Sequence, residues 1–303
     1  MRETLQMAPE TATPLARAIR PDTRRAGLLI ATDGRPAADA AIIVGRSLAH
    51  RDRESHELLA VEDIDQMDED RRGVNLNKHE LHFRLAQQRA RTTNITSESW
   101  PLSIAYGRPS STIADIADQG TQRLIVVGLH VHSRADRLLG RETVLQLTSR
   151  ASRPVLAVDS NRRTIPRRAL LAIDFSPSSI AAAREALRIV GPSGVVYLAH
   201  VEPRIYVPFN AAPALDYGPT AQEQLLTLRR ELGIRPGVET HLVVLQGDPT
   251  KELLAFADQE GVELIATGSH GFSPLRGAVI GAVPTAVVRA ARCSVLVVPP
   301  MNG

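Results

Sequence analysis

The sequence predicts an α/β protein with two tandem, Rossmann-like domains, each built on a doubly wound parallel sheet. Three observations support this prediction. The chain repeats itself at an offset of about 140 residues, short apolar runs alternate with helical segments, and the 303 residues are 43% hydrophobic but 3% aromatic. Cores made of small aliphatic side chains suit parallel sheets that are covered by helices. The length fits two domains of ordinary size.

The internal repeat sets the domain boundaries. The segment Gly107-Arg-Pro-Ser-Ser-Thr-Ile113 corresponds to Gly247-Asp-Pro-Thr-Lys-Glu-Leu253, and the same offset pairs Gly128 with Gly268. A repeat of this length is a duplicated domain rather than a solenoid unit. We therefore predict four segments: a flexible leader over 1–24, a first domain over 25–160, a polar linker over 161–166 and a second domain over 167–303.

Local signals predict each element of the second copy. An apolar strand ends in Asp174, and Ser176-Pro177 indicates a helix start because proline favours the first helical position. Gly191-Pro192 then stops that helix. The first copy is expected to repeat the order of the second, for which we predict strand 169–174, helix 176–190, strand 195–201, helix 220–232, strand 241–245, helix 250–259, strand 263–267, helix 281–291 and strand 294–298.

Composition and charge limit which partners and which cellular compartment we expect. The net charge is +3, and many arginines lie before the first strand and in the linker. No aromatic residues are interleaved with them to stack bases, so we interpret them as solvated and do not expect nucleic acid as a partner. No apolar run approaches the ~20 residues that span a bilayer, and the leader has no secretory signal, so we expect no membrane association and a cytoplasmic protein. The single cysteine, Cys293, excludes an internal disulfide and is expected to be buried.

A glycine-rich loop of the second copy has the character of an anion site. Gly268-Ser-His-Gly271 follows a predicted strand, and Gly281 comes after nine further residues. Glycines let backbone N–H groups approach a phosphate, and the helix that begins near Gly281 adds positive partial charge. Arg276 lies inside the loop, and Asp174 is placed to accept a hydrogen bond from a ribose hydroxyl. The alternative is a tight strand-to-helix connection that needs glycine for geometry alone.

The second copy resembles the universal stress protein family. The resemblance rests on Ile173-Asp174, Ala199-His200-Val201, Gly247-Asp-Pro, Leu264 to Gly271 with Gly281, and Val295 to Val298, in that family's order and spacing. It implies an adenine-nucleotide alpha-hydrolase-like fold, with ATP, alone or with Mg²⁺, as the ligand. The candidate binding residues are Asp174 for adenosine, Val201 for adenine through its backbone, Gly268, Gly271 and Gly281 along the ribose and phosphates, Arg276 in the loop, and Ala282 and Val283 at the helix start.

The chain departs from the family pattern directly after Gly281. The family has a phosphate-binding hydroxyl at the next position, where this chain has Ala282, and Pro284 stands where a second hydroxyl is expected. Pro284 also has no N–H to donate. The departures put tight triphosphate binding in question, although backbone donors at Gly281 and Ala282 remain.

The first copy departs further from the pattern. Val131 replaces the second glycine, and its side chain obstructs close backbone approach to a phosphate. Gly140 comes one residue early, so either Arg141 replaces the third glycine or, in a shifted register, Thr143 stands in for a phosphate hydroxyl. We interpret this site as degenerate, although it retains the counterparts of the two adenosine-binding residues, Asp33 and Val61.

Catalytic motifs do not stand out in the sequence. His130 and His270 recur at equivalent loop positions and are interpreted as packing or capping residues, and His200, in an apolar strand, as a core histidine. No Walker loop, zinc-protease helix or nucleophile elbow occurs. We therefore expect no enzyme activity, with slow ATP hydrolysis as the alternative.

The last strand of each copy is an apolar candidate for a sheet edge, and such edges seek partners. The resemblance implies self-association through these strands, 155–158 and 295–298, across a pseudo-twofold axis, which makes the chain a covalent dimer. The alternative is that each strand is covered by its own helices. Two functions follow: a stress-response regulator that binds an adenine nucleotide in its second copy, or a nucleotide-independent stress protein that acts through an unknown protein partner.

Overall fold

The computed structural model describes residues 27–62, 74–93, 101–129, 136–204, 219–271 and 280–300. In these residues, strands and helices alternate along the chain, and the strands form one mainly parallel sheet. The α/β prediction is confirmed. The first copy contains, in order, β1 (Gly27–Thr32), a 3-10 turn (Pro36–Ala38), α1 (Asp39–Asp52), β2 (His56–Glu62), α2 (Val74–Thr93), β3 (Leu102–Tyr106), α3 (Pro109–Gln119), β4 (Gln122–Leu129), α4 (Asp136–Arg150) and β5 (Val155–Asp159).

The second copy contains every element that its sequence predicts. The main difference is at its first strand, which ends at Ala172, so that Asp174 lies in the following loop. The chain remains extended at Ile173, whose N–H donates to the Ala199 carbonyl at 2.8 Å. The elements are β6 (Arg168–Ala172), α5 (Pro177–Ile189), β7 (Val195–Glu202), α6 (Ala221–Glu231), β8 (Glu239–Gln246), α7 (Pro249–Gln259), β9 (Leu264–Gly268), α8 (Ala282–Ala290) and β10 (Ser294–Val298).

The sheet has the order β3-β2-β1-β4-β5-β10-β9-β6-β7-β8. Within each copy all neighbouring strands are parallel, and the chain changes direction across the sheet between β1 and β4 and between β6 and β9. A crevice opens at such a switch point, outside the carboxyl ends of the strands. The topology therefore provides one candidate ligand crevice in each copy.

The two copies join through their last strands, as the family resemblance implies. β5 and β10 pair antiparallel, with Leu156 opposite Leu296 and Val155 opposite Val297. Because this pairing takes place within the chain, both apolar edges are covered by each other. The buried core then continues through the junction on both faces of the sheet, with Leu156 and Leu296 on one face and Val155 and Val297 on the other.

A charged cluster crosses the junction beside the core. Arg123 in β4 is 12% exposed, and its Nε donates to Glu54 Oε1 at 2.8 Å while its Nη1 forms an ion pair with Glu185 of α5. Asp52 Oδ2 lies 3.7 Å from Arg123 Nη2. Burial raises the pKa of the Glu185 carboxyl, and the Arg123 guanidinium opposes that effect. The cluster fixes α5 of the second copy against the first copy.

Candidate functional site

A cavity of about 380 Å³ lies in the second copy, at the switch point between β6 and β9. Apolar side chains such as Ile173, Leu253 and Val283 form most of its wall. Such a wall suits a flat, largely apolar group with a few polar anchors. Seven residues that the sequence predicts as binding residues line it: Asp174, Val201, Gly268, Gly271, Gly281, Ala282 and Val283. The eighth, Arg276, lies outside the described residues.

Asp174 is an exposed side chain that local hydrogen bonds hold in place. Its Oδ1 accepts from the Ser176 N–H at 3.0 Å and from the Ser176 hydroxyl at 2.5 Å. Ser176 is also the N-cap of α5, since its Oγ accepts from the Ser179 N–H at 3.3 Å. One carboxylate oxygen is thus fixed by the helix start, and Oδ2 is the atom that faces Gly271.

The three glycines of the loop have three different roles. A Cβ at Gly268 would lie 2.7 Å from the carbonyl carbon of Ser178, so this glycine allows β9 to pack against α5. A Cβ at Gly271 would lie 2.7 Å from Asp174 Oδ2, so this glycine leaves room for the carboxylate at the cavity. Gly281 is the N-cap of α8, and its N–H donates to the Ser269 carbonyl at 2.8 Å.

The N-terminus of α8 faces the cavity but offers few hydrogen-bond donors to a ligand. Ala282 and Val283 begin the helix, and both line the cavity. The Thr285 N–H is already bonded to the Gly281 carbonyl at 3.1 Å, and the buried Pro284 has no N–H. The first turn therefore presents the backbone N–H groups of Ala282 and Val283 to an anion, together with the positive end of the helix dipole.

β7 borders the cavity where it extends past the end of β6. The ladder between β6 and β7 ends at Ala172 and Ala199, whereas β7 continues to Glu202. Val201 lies on this extension and lines the cavity. Its position gives a ligand access to the backbone of β7, where main-chain groups can recognise a planar base by hydrogen bonds.

His200 is not a core histidine, and that interpretation is wrong. It is partly exposed and lines the cavity, because β7 extends past β6 at this point. Its Nδ1 lies 2.7 Å from the Ile173 carbonyl, so Nδ1–H donates and Nε2 is the acceptor in the neutral ring. The Phe175 ring packs 4.8 Å from it, centroid to centroid, with the Phe175 backbone at φ +63°. Sequence reasoning missed Phe175, since no pattern marks a left-handed residue other than glycine or asparagine.

His270 and Ser178 connect the glycine loop to α5. The Ser178 hydroxyl donates to the His270 carbonyl, and the His270 Nδ1 lies 2.8 Å from the hydroxyl of its neighbour Ser269. The loop is therefore fixed at its first half by side chains of the helix that also holds Asp174. His270 also lines the cavity, so its interpretation as a packing or capping residue stays a prediction. His130 lies outside the described residues.

The corresponding loop of the first copy is partly replaced by helix. α4 begins at Asp136, six residues before the counterpart of the α8 start at the repeat offset. Gly140 and Arg141 are therefore helical, and Thr143 lies in the second turn rather than at the helix start. The shifted register, with Thr143 as a phosphate-binding hydroxyl, is wrong for this reason. Val131 lies outside the described residues.

The Asp33 carboxylate of the first copy is engaged by an arginine. Its Oδ1 accepts from the Arg35 N–H at 2.9 Å, and the Arg35 Nε lies 3.7 Å from Oδ2. Arg35 occupies the repeat position of Ser176, so a cation stands where the second copy has a hydroxyl. Side chains of α2 also reach this end of β1: Arg91 donates to the Gly34 carbonyl at 3.1 Å. These contacts support the interpretation of the first site as degenerate.

Other features lie outside the cavity. Burial raises the pKa of the Cys293 thiol to about 12, and the side chain is 8% exposed, as expected for a small core residue. In the part of the chain that the structure describes, no group of three or more His, Cys, Asp or Glu side chains is placed to hold a metal ion. Among the same residues, no helix combines the length and apolar character needed to cross a membrane.

Comparison with known proteins gives a consistent family assignment. The model of the universal stress protein family matches residues 27–159 and 166–299. The universal stress protein Rv2005c of Mycobacterium tuberculosis is 29% identical over 202 residues, which are 64% of this chain and 67% of that protein. The universal stress protein YxiE of Bacillus subtilis is 29% identical over 143 residues, which are 43% of this chain and 96% of that protein.

A solved structure shares the fold over nearly the whole chain. The crystal structure of a universal stress protein from Archaeoglobus fulgidus superimposes with a TM-score of 0.66, covering 91% of this chain and 98% of that one. The sequence identity is 17%, so the likeness concerns the fold alone. Both copies of the repeat thus lie within an architecture that is already known.

Proposed function

The chain belongs to the universal stress protein family, and from this membership and the cavity geometry we propose that its second copy binds an adenine nucleotide. The observation that carries the proposal is the pairing of Gly271 with Asp174. A Cβ at Gly271 would meet Asp174 Oδ2 at 2.7 Å, so the glycine keeps a carboxylate at the mouth of an apolar cavity. A fixed carboxylate beside an apolar wall fits a ribose and its base.

The cavity suggests a location for each part of the nucleotide. The base packs on the apolar wall and bonds to the backbone of β7 at Val201, and Asp174 accepts a ribose hydroxyl. The phosphates point to the backbone N–H groups of Ala282 and Val283, where the helix dipole favours an anion. Mg²⁺, where present, is held mainly by the phosphate oxygens of ATP.

We propose a regulatory ligand rather than a substrate. Among the described lining residues Asp174 is the one carboxylate, and its Oδ1 already accepts a hydrogen bond from the Ser176 hydroxyl. Phosphoryl transfer needs a group that orients the attacking nucleophile close to the phosphates. The described lining at the start of α8 offers glycine, alanine, valine and proline instead, and the two lining histidines are engaged through Nδ1, His200 by the Ile173 carbonyl and His270 by the Ser269 hydroxyl.

Equilibrium dialysis with radiolabelled ATP tests the proposal. The wild-type chain should show saturable binding with one site per chain. Asp174→Asn should bind about tenfold more weakly, because an ionised acceptor is replaced by a neutral one. The matched control is Asp33→Asn, the same change at the same position of the first copy, and its affinity should stay within about twofold of wild type.

Two results would contradict the proposal. One is the absence of saturable binding to the wild-type chain. The other is an equal effect of the two aspartate substitutions, which would mean that the second cavity is not the site. Gly271→Val provides an independent check, since its side chain enters the space of the Asp174 carboxylate and should abolish binding.

A second function is favoured by the start of α8. Ala282 and Pro284 remove two hydroxyls and one N–H from the phosphate side of the cavity, which supports a stress protein that acts through protein contacts without nucleotide. Mass analysis of small molecules released by denaturing the freshly purified chain separates the two functions. A released adenine nucleotide in near-stoichiometric amount supports the first, and its absence together with a failed dialysis supports the second.

A further inference from the structure

Arg141 of the first copy binds the end of a helix in the second copy. It lies in α4 and is 7% exposed, and its guanidinium reaches across the junction to α8. Its Nη1 donates to the Val288 carbonyl at 2.8 Å and its Nη2 to the Ala291 carbonyl at 2.9 Å. The carbonyl groups at a helix C-terminus lack intrahelical partners, so the arginine satisfies them and neutralises the negative end of the helix dipole.

Arg51 makes the same kind of contact on the opposite face of the sheet. It lies in the last turn of α1 and donates to carbonyl groups at the end of α5. Its Nη1 donates to the Ile189 carbonyl at 2.9 Å, and its Nη2 donates to the Arg188 carbonyl. Asp52 holds the guanidinium from the other side, with its Oδ1 2.7 Å from Arg51 Nε. Two helices of the second copy are therefore capped by arginines of the first.

The capped helices are two of the three whose N-terminal turns border the cavity; the third is α7, whose first residue, Pro249, also lines it. α8 begins at the cavity with Gly281 as its N-cap and Ala282 as its first residue. α5 begins with Ser176, which holds Asp174 at the same cavity. With a rise of about 1.5 Å per residue, the nine residues of α8 place its two ends about 13 Å apart. A hydrogen-bonded helix of that length moves as a rigid unit, so fixing one end restricts the other.

We propose that the first domain positions the nucleotide site of the second, with Arg141 as the positioning residue for α8 and Arg51 for α5. The proposal rests on the nucleotide site proposed above and adds its regulation. All the described residues that line the cavity belong to the second domain. The first domain fixes the direction and depth of the helix starts that meet the phosphates and the ribose.

The repeat does not provide the reverse contacts at the equivalent sequence positions. At the repeat offset, Arg141 corresponds to Gly281, which has no side chain. Gly191-Pro192 stands at the point that corresponds to the end of α1, so the second copy has no cation there either. One repeat position therefore has two roles. In the second copy it is Gly281, the N-cap of α8, and in the first copy it is Arg141, which caps the C-terminus of α8.

The test compares Arg141→Met, Arg141→Lys and Glu142→Gln in the full chain. Methionine keeps the apolar stem that packs under α8 but removes both donors, and lysine keeps the charge without the fork that spans two carbonyls. Glu142 Oε2 lies 3.2 Å from Arg289 Nη2, in a neighbouring ion pair between α4 and α8. Glu142→Gln removes this ion pair and leaves the α8 carbonyls bonded to Arg141. Circular dichroism and the Tm confirm that each variant is folded.

Two measurements are made on each variant. With radiolabelled ATP, Arg141→Met should weaken binding by about two- to thirtyfold, Arg141→Lys by less, and Glu142→Gln by less than about twofold. Without nucleotide, hydrogen exchange at the Thr285 amide, which bonds to the Gly281 carbonyl at the far end of α8, should be at least about threefold faster in Arg141→Met and unchanged in Glu142→Gln.

The outcomes separate this proposal from the nucleotide proposal. If the wild-type chain binds ATP and Arg141→Met binds it equally well, the positioning role is wrong. It is also wrong if Glu142→Gln has the same effect as Arg141→Met, since the cause would then be general weakening of the junction. If the wild-type chain binds no ATP, the nucleotide proposal fails, and the exchange measurement alone decides whether Arg141 controls the start of α8: unchanged exchange in Arg141→Met overturns it.

Discussion

At the residue scale, Gly268 and Gly271 show how one motif meets two physical requirements. Both have backbone conformations open to other residues, so the requirement for glycine is one of space. A Cβ at Gly268 would meet the Ser178 hydroxyl and, at 2.7 Å, the Ser178 carbonyl carbon, and this backbone atom of α5 cannot move independently of the helix. At Gly271 the contact is with the end of the exposed Asp174 side chain, which can rotate away.

The two glycines should therefore respond differently to the same substitution. Gly268→Ala forces β9 away from Ser178 and should lower the free energy of unfolding by about 1–3 kcal/mol. Gly271→Ala should leave the free energy of unfolding within about 0.5 kcal/mol of wild type, because the Asp174 side chain gives way, but weaken ATP binding severalfold. Urea denaturation and dialysis measure the two effects. Equal loss of stability in both variants would refute this distinction.

The sequence predicts the residues of the cavity that belong to local motifs. Seven of the eight candidates line one cavity, because the ends of parallel strands meet at one edge of the sheet. It does not predict His200 as a cavity residue, since its exposure depends on where β6 ends relative to β7. Nor does it predict that Arg141 caps a helix of the other copy, because that contact joins residues about 150 positions apart through tertiary packing.

At the element scale, α4 and α8 are the same repeat helix with different starts. α8 begins after a loop and presents its first turn to the cavity, whereas α4 begins six residues earlier and passes through the equivalent position. The existence of both helices follows from the sequence pattern. Their different starts do not, because helix boundaries depend on which residues each loop must accommodate. The difference between the two loops is thus a difference in element length.

Substitutions at the start of α8 should strengthen ATP binding. Pro284→Ala restores a backbone N–H at the third helical position, and Pro284→Thr adds a hydroxyl as well. We expect ATP affinity to rise about threefold in the first variant and about tenfold in the second, because each new donor can bond a phosphate oxygen.

Adenosine is the control ligand for this prediction, measured by calorimetric titration of the same variants. It lacks the phosphates, so its affinity should not change. Tighter adenosine binding, or no gain for ATP in two folded variants, would show that the phosphates do not meet the α8 start.

At the scale of the whole molecule, Glu263 fixes the linker to the second copy. Its Oε1 accepts from Arg162 Nη1 at 2.8 Å, and its Oε2 accepts from the Arg167 N–H at 2.6 Å. Burial alone would raise the pKa of this carboxyl, but the Arg167 N–H and the Arg162 guanidinium outweigh burial and lower the pKa below its ordinary value. The ionised form is thus the one that stabilises the folded chain.

This shift sets the pH dependence of Glu263→Gln. A lowered folded pKa gives stability that is present above the unfolded pKa and lost as the pH falls through the folded pKa. The free energy of unfolding of the wild-type chain should therefore exceed that of Glu263→Gln by about 1 kcal/mol at pH 7, and the difference should shrink as the pH falls below the ordinary glutamate pKa. Urea denaturation between pH 3 and pH 7 measures it. A difference that grows as the pH falls would contradict the prediction.

The antiparallel junction between β5 and β10 has a further consequence for the chain as a product of duplication. In a dimer of identical subunits, any substitution appears in both halves, so an arginine at the position of Gly281 would remove the glycine from every binding site in the assembly. Joining the two copies in one chain breaks that symmetry. The two halves can then accept different substitutions, and an arginine that would affect both halves of a symmetric assembly is confined to one half, as Arg141 is here.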